Sequence, residues 1–477
     1  MIINKKVLIG IVVDLFFILL YMVLYGTNAN ISESVIIFFA VISYIFMISI
    51  LLIIYNERKF NLCLIFIILT FLFYFGQYIE LQITGEVENE ALSITKSYNI
   101  DIINHFSVII LLYIHLIHII MIIFSKKIKS NGVVYKEKIS GQIINMISTL
   151  MYFFSYPFAL YYQYTRYQYT KIWGYGNTLY EQFTNQSMLL KLGEFFSGYV
   201  ISMFILLLIV NKGKKKFAIL VSILPYCIFY MLSGSRLQIA LLLIVIVLIL
   251  HSWDKPISLK KFAIGFVFAV FFSYLLAVSS SIRNYIGLYN SVFDAISYAV
   301  KNTSLIDGII HLFDEFGCQI VSIVCVFKNC PSRVSFNYGK LFLYGIEIII
   351  PNLFGYKRFF YIDNTDEAFK YFLNKGNTGL GSSFISESYY CFGFLGIIYV
   401  LFLGYIITKV SIDMFSYSKE KNVIGAFVCY YLAYCLIFTV RGDTFNIASS
   451  VFQYAIIPIM IMYLIQGIFN KKKYRFR

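Results

Sequence analysis

The chain has 477 residues, of which 60% are apolar and 19% aromatic while only 13% are charged, and its mean hydropathy is +0.78. These values lie far outside those of soluble domains and read as a polytopic membrane protein. A formal net charge of +15 suggests nucleic acid in a soluble protein, but here the basic residues cluster in short segments between apolar runs, the pattern of membrane orientation, so no nucleic-acid partner is expected.

Runs long enough for a helix to cross a hydrocarbon core of about 30 Å occur at 7–25, 34–55, 62–78, 102–124, 141–164, 192–210, 217–232, 237–250, 262–279, 386–408, 423–440 and 445–468. They predict an all-α protein with about twelve transmembrane helices, the first a retained signal anchor. The runs are continuous rather than alternating, which excludes a β-barrel. If the spans simply alternate, the segments holding 24 of the 39 basic residues, from Lys5 and Lys6 to the 471–477 tail, all fall on one face. That face is the cytoplasmic one, and both termini lie on it. The opposite face carries acidic residues such as Glu80, Glu86, Glu88, Glu90 and Asp101.

The chain thus divides into transmembrane helices one to nine (1–279), a large extracytoplasmic loop (280–385), and helices ten to twelve with a basic cytoplasmic tail (386–477). Within the loop, the stretches 318–327 and 341–350 are apolar but short, which suits interfacial or re-entrant helices. Gly376, Gly379 and Gly381 ahead of span ten read as a hinge rather than a phosphate cradle. Eight cysteines occur without CxxC pairs, and most lie inside apolar runs.

Three arginines stand at the outer ends of spans: Arg236 closing Ser233-Gly234-Ser235-Arg236, Arg283 after Ser279-Ser280-Ser281, and Arg441 in Arg441-Gly442-Asp443. Singly, each reads as an interfacial anchor, or a partner of a carboxylate such as Asp443. Together, at one depth, they suit a lipid-linked phosphate or pyrophosphate, because guanidinium binds phosphate bidentately and stays charged. Glu387 opens span ten above Gly393 and Gly396, small residues that suit close helix packing. It is a charge partner of its helix N-terminus, or a group that orients an arginine or takes a proton from a sugar hydroxyl. His311 and Asp443 are the alternative bases. His115 and His118 share one face of span four and read as hydrogen-bonded packing residues rather than metal ligands, and Asp14 in span one is expected to pair with a polar neighbour. Phosphate-loop, dinucleotide, HExxH and nucleophile-elbow motifs are all missing, so no soluble cofactor is expected.

Ser233-Gly234-Ser235-Arg236 before an aliphatic helix, the large outer loop, Glu387 with Gly393 and Gly396, and Arg441 before the last span resemble the Wzy-type oligosaccharide repeat-unit polymerases, or O-antigen polymerases, over about residues 217–470. The twice-repeated arginine-to-glycine loop pattern of some members is not evident. The resemblance implies a membrane glycosyltransferase in the bacterial cytoplasmic (inner) membrane. Such an enzyme moves a growing glycan en bloc from undecaprenyl pyrophosphate to a sugar hydroxyl of a lipid-linked repeat unit, making O-antigen or capsule. Its partners would be these lipid-linked oligosaccharides, membrane lipid and a chain-length regulator protein. On this reading Arg236, Arg283 and Arg441 meet the pyrophosphate, and Glu387, ahead of His311 and Asp443, activates the hydroxyl. A lipid-linked oligosaccharide flippase is the rival from another class; it calls for charge in a central cavity and short loops on both faces, whereas this chain concentrates charge at one face. An O-antigen ligase shares the donor and stays open as a second alternative.

Overall fold

The computed structural model describes residues 5–27, 31–55, 60–87, 93–127, 139–184, 187–234, 236–254, 292–350, 358–360 and 381–475, with single positions between 256 and 278. Among these, every regular element is helical. The first half runs α1 (Lys5–Gly26), α2 (Glu33–Ile54), α3 (Leu62–Thr84), α4 (Ile100–Lys127), α5 (Gly141–Thr184), α6 (Met188–Val210), α7 (Gly213–Ser222), α8 (Leu224–Leu232) and α9 (Arg236–Ile249). The second half runs α10 (Val292–Asn302), α11 (Leu305–Gly317), α12 (Gln319–Asn329), α13 (Lys340–Glu347), α14 (Phe384–Phe392), α15 (Ile397–Glu420), α16 (Val423–Phe438), α17 (Asn446–Val451) and α18 (Ile457–Arg475).

Eleven stretches of described residues are long and apolar enough to cross a membrane, and α16 is a shorter apolar helix beside them. The protein is an all-α, multi-pass membrane protein, as its composition predicts. Two details differ from the run-by-run expectation. The run 262–279 lies largely outside the described residues. Conversely, Leu305–Asn329, made of α11 and α12, meets the length and composition of a span although only 318–327 was legible as apolar. Asp307, Asp314, Glu315 and Lys328 interrupt its pattern.

Local sequence explains several element limits. Asn61 caps α3 by accepting from the Leu64 amide at 3.0 Å, and Gly85, at φ +81°, ends it. Pro225, which lacks an N–H, stands at the junction of α7 and α8. Nothing between Pro157 and Trp173 breaks a helix, so α5 continues far past the predicted run. Its 44 residues amount to about 66 Å, more than twice the hydrocarbon core.

Polar contacts fix the packing at three places. In the α1–α2–α4 group, Asp14 accepts at 2.7 Å from His115 Nδ1 and meets His118 Nδ1 at 2.8 Å, and His118 Nε2 lies 3.2 Å from the Met47 carbonyl. All three side chains are fully buried, so the packing role expected for the histidines and the partner expected for Asp14 are one and the same contact. At one end of the bundle Lys216 pairs with Asp254 at 2.5 Å, while Lys421 donates to the Trp253 carbonyl and lies over its ring. Residues bordering three of the basic segments therefore gather at one end, as the charge pattern requires. Finally, α11 crosses α3 with backbones in contact. A Cβ on Gly317 would sit 2.1 Å from the Gln77 nitrogen, and one on Gly76 would sit 2.5 Å from the Phe313 carbonyl. Gln77 Nε2 donates to Asp314 Oδ1 at 3.1 Å, and Phe73 packs on Phe316.

Candidate active site

At the end of α16 away from Lys421 the chain turns through residues 439–445, and α14 docks against that turn. Sixteen residues of α16 separate the two ends by about 24 Å. Ser383 caps α14 reciprocally with Ser386, and the Phe384 amide donates to the Thr439 carbonyl at 2.9 Å. The register of this short helix against the 439–445 turn is thereby fixed, and it directs Glu387, in the first turn of α14, at Thr444.

Glu387 is fully buried. Its Oε2 accepts from the Thr444 amide at 2.9 Å and from the Thr444 hydroxyl, and its Oε1 lies 2.6 Å from Ser382 Oγ. Asp443 Oδ1 lies 2.9 Å from the same Ser382 Oγ, and Asp443 Oδ2 accepts from Asn446 Nδ2 at 3.0 Å. A serine hydroxyl carries one proton. It donates along the shorter contact to Glu387, so the 2.9 Å contact to Asp443 closes when the proton sits on the aspartate and is donated to Ser382 Oγ. The arrangement thus holds one proton between two carboxyls. Among the described residues neither carboxyl has a cationic partner. Burial holds the Asp443 carboxyl above the ordinary aspartate range, against the hydrogen bond from Asn446 that favours its ionised form. Glu387 is enclosed and Asp443 is partly exposed, so the aspartate is the outward member.

Glu387 stands in the first turn of its own helix, and its oxygens are also taken by the 439–445 turn and Ser382. Gly393 and Gly396 differ from their reading as packing positions in one continuous span. Gly393 takes φ +58°, residues Gly393–Gly396 form a 3-10 turn, and a Cβ on Gly396 would sit 2.2 Å from the Ser388 carbonyl. The glycines break the span into α14 and α15 and fold the break back on α14.

Arg441 is partly buried, and its Nη1 donates to the Glu315 carbonyl at 3.0 Å. His311 Nε2 stands 3.5 Å from Glu315 Oε2, so His311 faces Glu315 on its own helix. Three or more His, Cys, Asp or Glu side chains grouped to hold a metal do not occur among the described residues.

The family model described as O-antigen polysaccharide polymerase Wzy matches residues 8–473, nearly the whole chain. The chain belongs to this family. No curated protein and no solved structure matches it. As a Wzy-family polymerase it works on lipid-linked oligosaccharide repeat units in O-antigen synthesis.

Of the residues singled out in the sequence, the structure brings Glu387 and Asp443 together through Ser382. It sets Arg441 on the same turn as Asp443, with His311 linked to it through Glu315. Arg236 is the first residue of α9 with its side chain outside the described part, and Arg283 lies outside the described residues. Ser382, Thr444 and Gln319 were missed. Serine before a helix reads as an ordinary cap, and the only signal was the density of hydroxyls in Ser382-Ser383-Phe384-Ile385-Ser386-Glu387.

Proposed function

We propose that this Wzy-family chain transfers a growing glycan en bloc from undecaprenyl pyrophosphate to a sugar hydroxyl of the next lipid-linked repeat unit. The site would lie at the outer face of the bacterial cytoplasmic membrane, with both termini inside and a chain-length regulator as a protein partner; the product is O-antigen or capsule. The observation that carries the chemical part is the single Ser382 hydroxyl held between Glu387 and Asp443.

Asp443, the outward member, receives the proton of the acceptor hydroxyl. Its own proton passes to Ser382 Oγ as the Ser382 proton passes to Glu387 Oε1. The freed sugar oxygen bonds the anomeric carbon of the donor. The bond from that carbon to the pyrophosphate oxygen breaks, and the pyrophosphate leaves with the electron pair. The carboxyl pair, now holding two protons, gives one up to the departing pyrophosphate or to water and returns to its starting state. Arg441 meets the negative charge growing on the leaving group, where a fixed guanidinium stabilises the transition state without rearrangement. Arg236 and Arg283 are assigned to the same pyrophosphate on the sequence pattern.

The test is polysaccharide length in the native strain carrying Glu387→Gln or Arg441→Lys at normal protein level. Glu387→Gln should leave single-repeat product, a loss of about 100-fold or more in line with removal of a proton acceptor. Arg441→Lys should shorten chains despite keeping the charge. Wild-type chain length in Glu387→Gln would sink the assignment.

A further inference from the structure

The amide of Gln319 reaches the backbone of Ser382, the residue between the two carboxyls, from a separate element. Gln319 is the first residue of α12 and is fully buried. Its Nε2 faces the Ser382 carbonyl at 3.1 Å, the Gly381 carbonyl at 3.4 Å and Ser322 Oγ at 2.5 Å. Two backbone carbonyls and a hydroxyl that itself donates to the Gln319 carbonyl are acceptors only toward this amide, so the nitrogen is the end that must point at them. Its Oε1 is buried with no hydrogen-bond partner. An amide serving only to fill the core would satisfy both ends; this one is turned so that its donor end holds residues 381 and 382. Gly381 needs that hold, because it sits at φ +64° directly before Ser382 and against Arg441.

We infer that Gln319 is a positioning residue of the polymerase site: by tethering the Gly381–Ser382 carbonyls it fixes Ser382 Oγ midway between Glu387 and Asp443, and so decides how the shared proton is divided. This rests on the assignment of the carboxyl pair made above. The division is read in a pH profile, since Ser382 is the only described link between the two acids. The other titratable or charged groups around the pair and its Gln319 tether are Cys391 on α14, Tyr399 on α15, Tyr74 on α3, Asp314 and Glu315 on α11, Cys318 between α11 and α12, and Arg441 on the turn.

The experiment uses the full chain in lipid nanodiscs with a lipid-linked repeat unit as substrate, and follows polymerisation across pH. Gln319→Glu has nearly the shape of glutamine but, once ionised, cannot donate. It should lose roughly tenfold or more of kcat near neutrality, a part of the 100-fold or more that the proton-transfer groups it positions supply. It should recover part of that loss at acidic pH, where a protonated Glu side chain donates to the Ser382 carbonyl again, so that its optimum moves down. Should Gln319→Glu fail to fold, Gln319→Asn, one methylene short of the carbonyls, should lower kcat at unchanged KM and displace the optimum. A folded Gln319 variant with the wild-type profile overturns the inference even if its yield falls. The two failures are distinct: wild-type activity in Glu387→Gln removes the site itself, whereas an inactive Glu387→Gln beside an unshifted Gln319 variant removes only the role of Gln319.

Discussion

Two buried carboxylate groups anchor this protein, and they differ in what stands beside them. Asp14 faces two imidazoles, and His118 meets an oxygen at each ring nitrogen. The proton that these contacts require sits between an acid and a base, so the group is neutral within itself and joins α1, α2 and α4. Glu387 and Asp443 face each other across a hydroxyl with no base in contact. One carboxyl must be protonated for the contacts to close, and the outward member is partly open to solvent. A buried acid matched by bases works as a joint, whereas a buried acid matched by another acid is poised to exchange a proton.

Breaking the joint should have the largest effect on the folded state and none on the chemistry. Asp14→Asn, leaving one fewer acceptor between two buried imidazoles, should destabilise the protein by about 3 kcal/mol, read as a lowered thermal midpoint in detergent, with activity per folded molecule retained. Lost activity at an unchanged midpoint would erase the distinction between the two groups.

Next in size is the pH response. Asp443 holds its proton above the ordinary aspartate range. A base is useful only when the pair carries fewer than two protons, so activity should fall on acidification as the second proton binds, whereas the shared proton held on Asp443 is lost only above the ordinary aspartate range. Activity should fall again at alkaline pH, when the shared proton is lost. Such a bell belongs to the pair rather than to either residue. Asp443→Asn removes the member that takes the hydroxyl proton and should reduce activity about 100-fold or more while replacing the bell with a single limb; an intact bell would mean that Asp443 does not share the proton. The smallest effect is expected at His311, which faces Glu315 rather than the carboxyl pair. His311→Ala should keep polymer length within about twofold of wild type, the range of a surface-side change outside the proton path. A large loss would restore the histidine as base.

The spans were legible because an apolar run of the right length has few other uses in a chain this poor in charge. Leu305–Asn329 escaped because its charged residues and glycines, read singly, look like a loop; the fold gives Asp314 a partner on α3, sets Glu315 beside His311 and Arg441, and lays Lys328 over Tyr98. Glu387, Asp443 and Arg441 were legible as polar groups at span ends, since polar groups there are rare enough to notice. Ser382 and Gln319 were not, because their roles come from two segments about 60 positions apart meeting at one amide. The turn at Gly393 was likewise hidden, since glycine beneath a helix start suits close packing and a backbone break equally well.

The contact of Gly76 with Gly317 makes the carboxyl site a joint property of both halves of the chain. Gly317 lies two residues before Gln319 and two after Glu315, whose carbonyl receives Arg441. A side chain on either glycine would wedge α11 off α3 and carry the tether of Ser382 and the seat of Arg441 with it. Positions 76 and 317 therefore have to be inherited as a couple: a chimaera joining the first half of one polymerase to the second half of another will assemble its chemistry only if both parents kept that crossing bare.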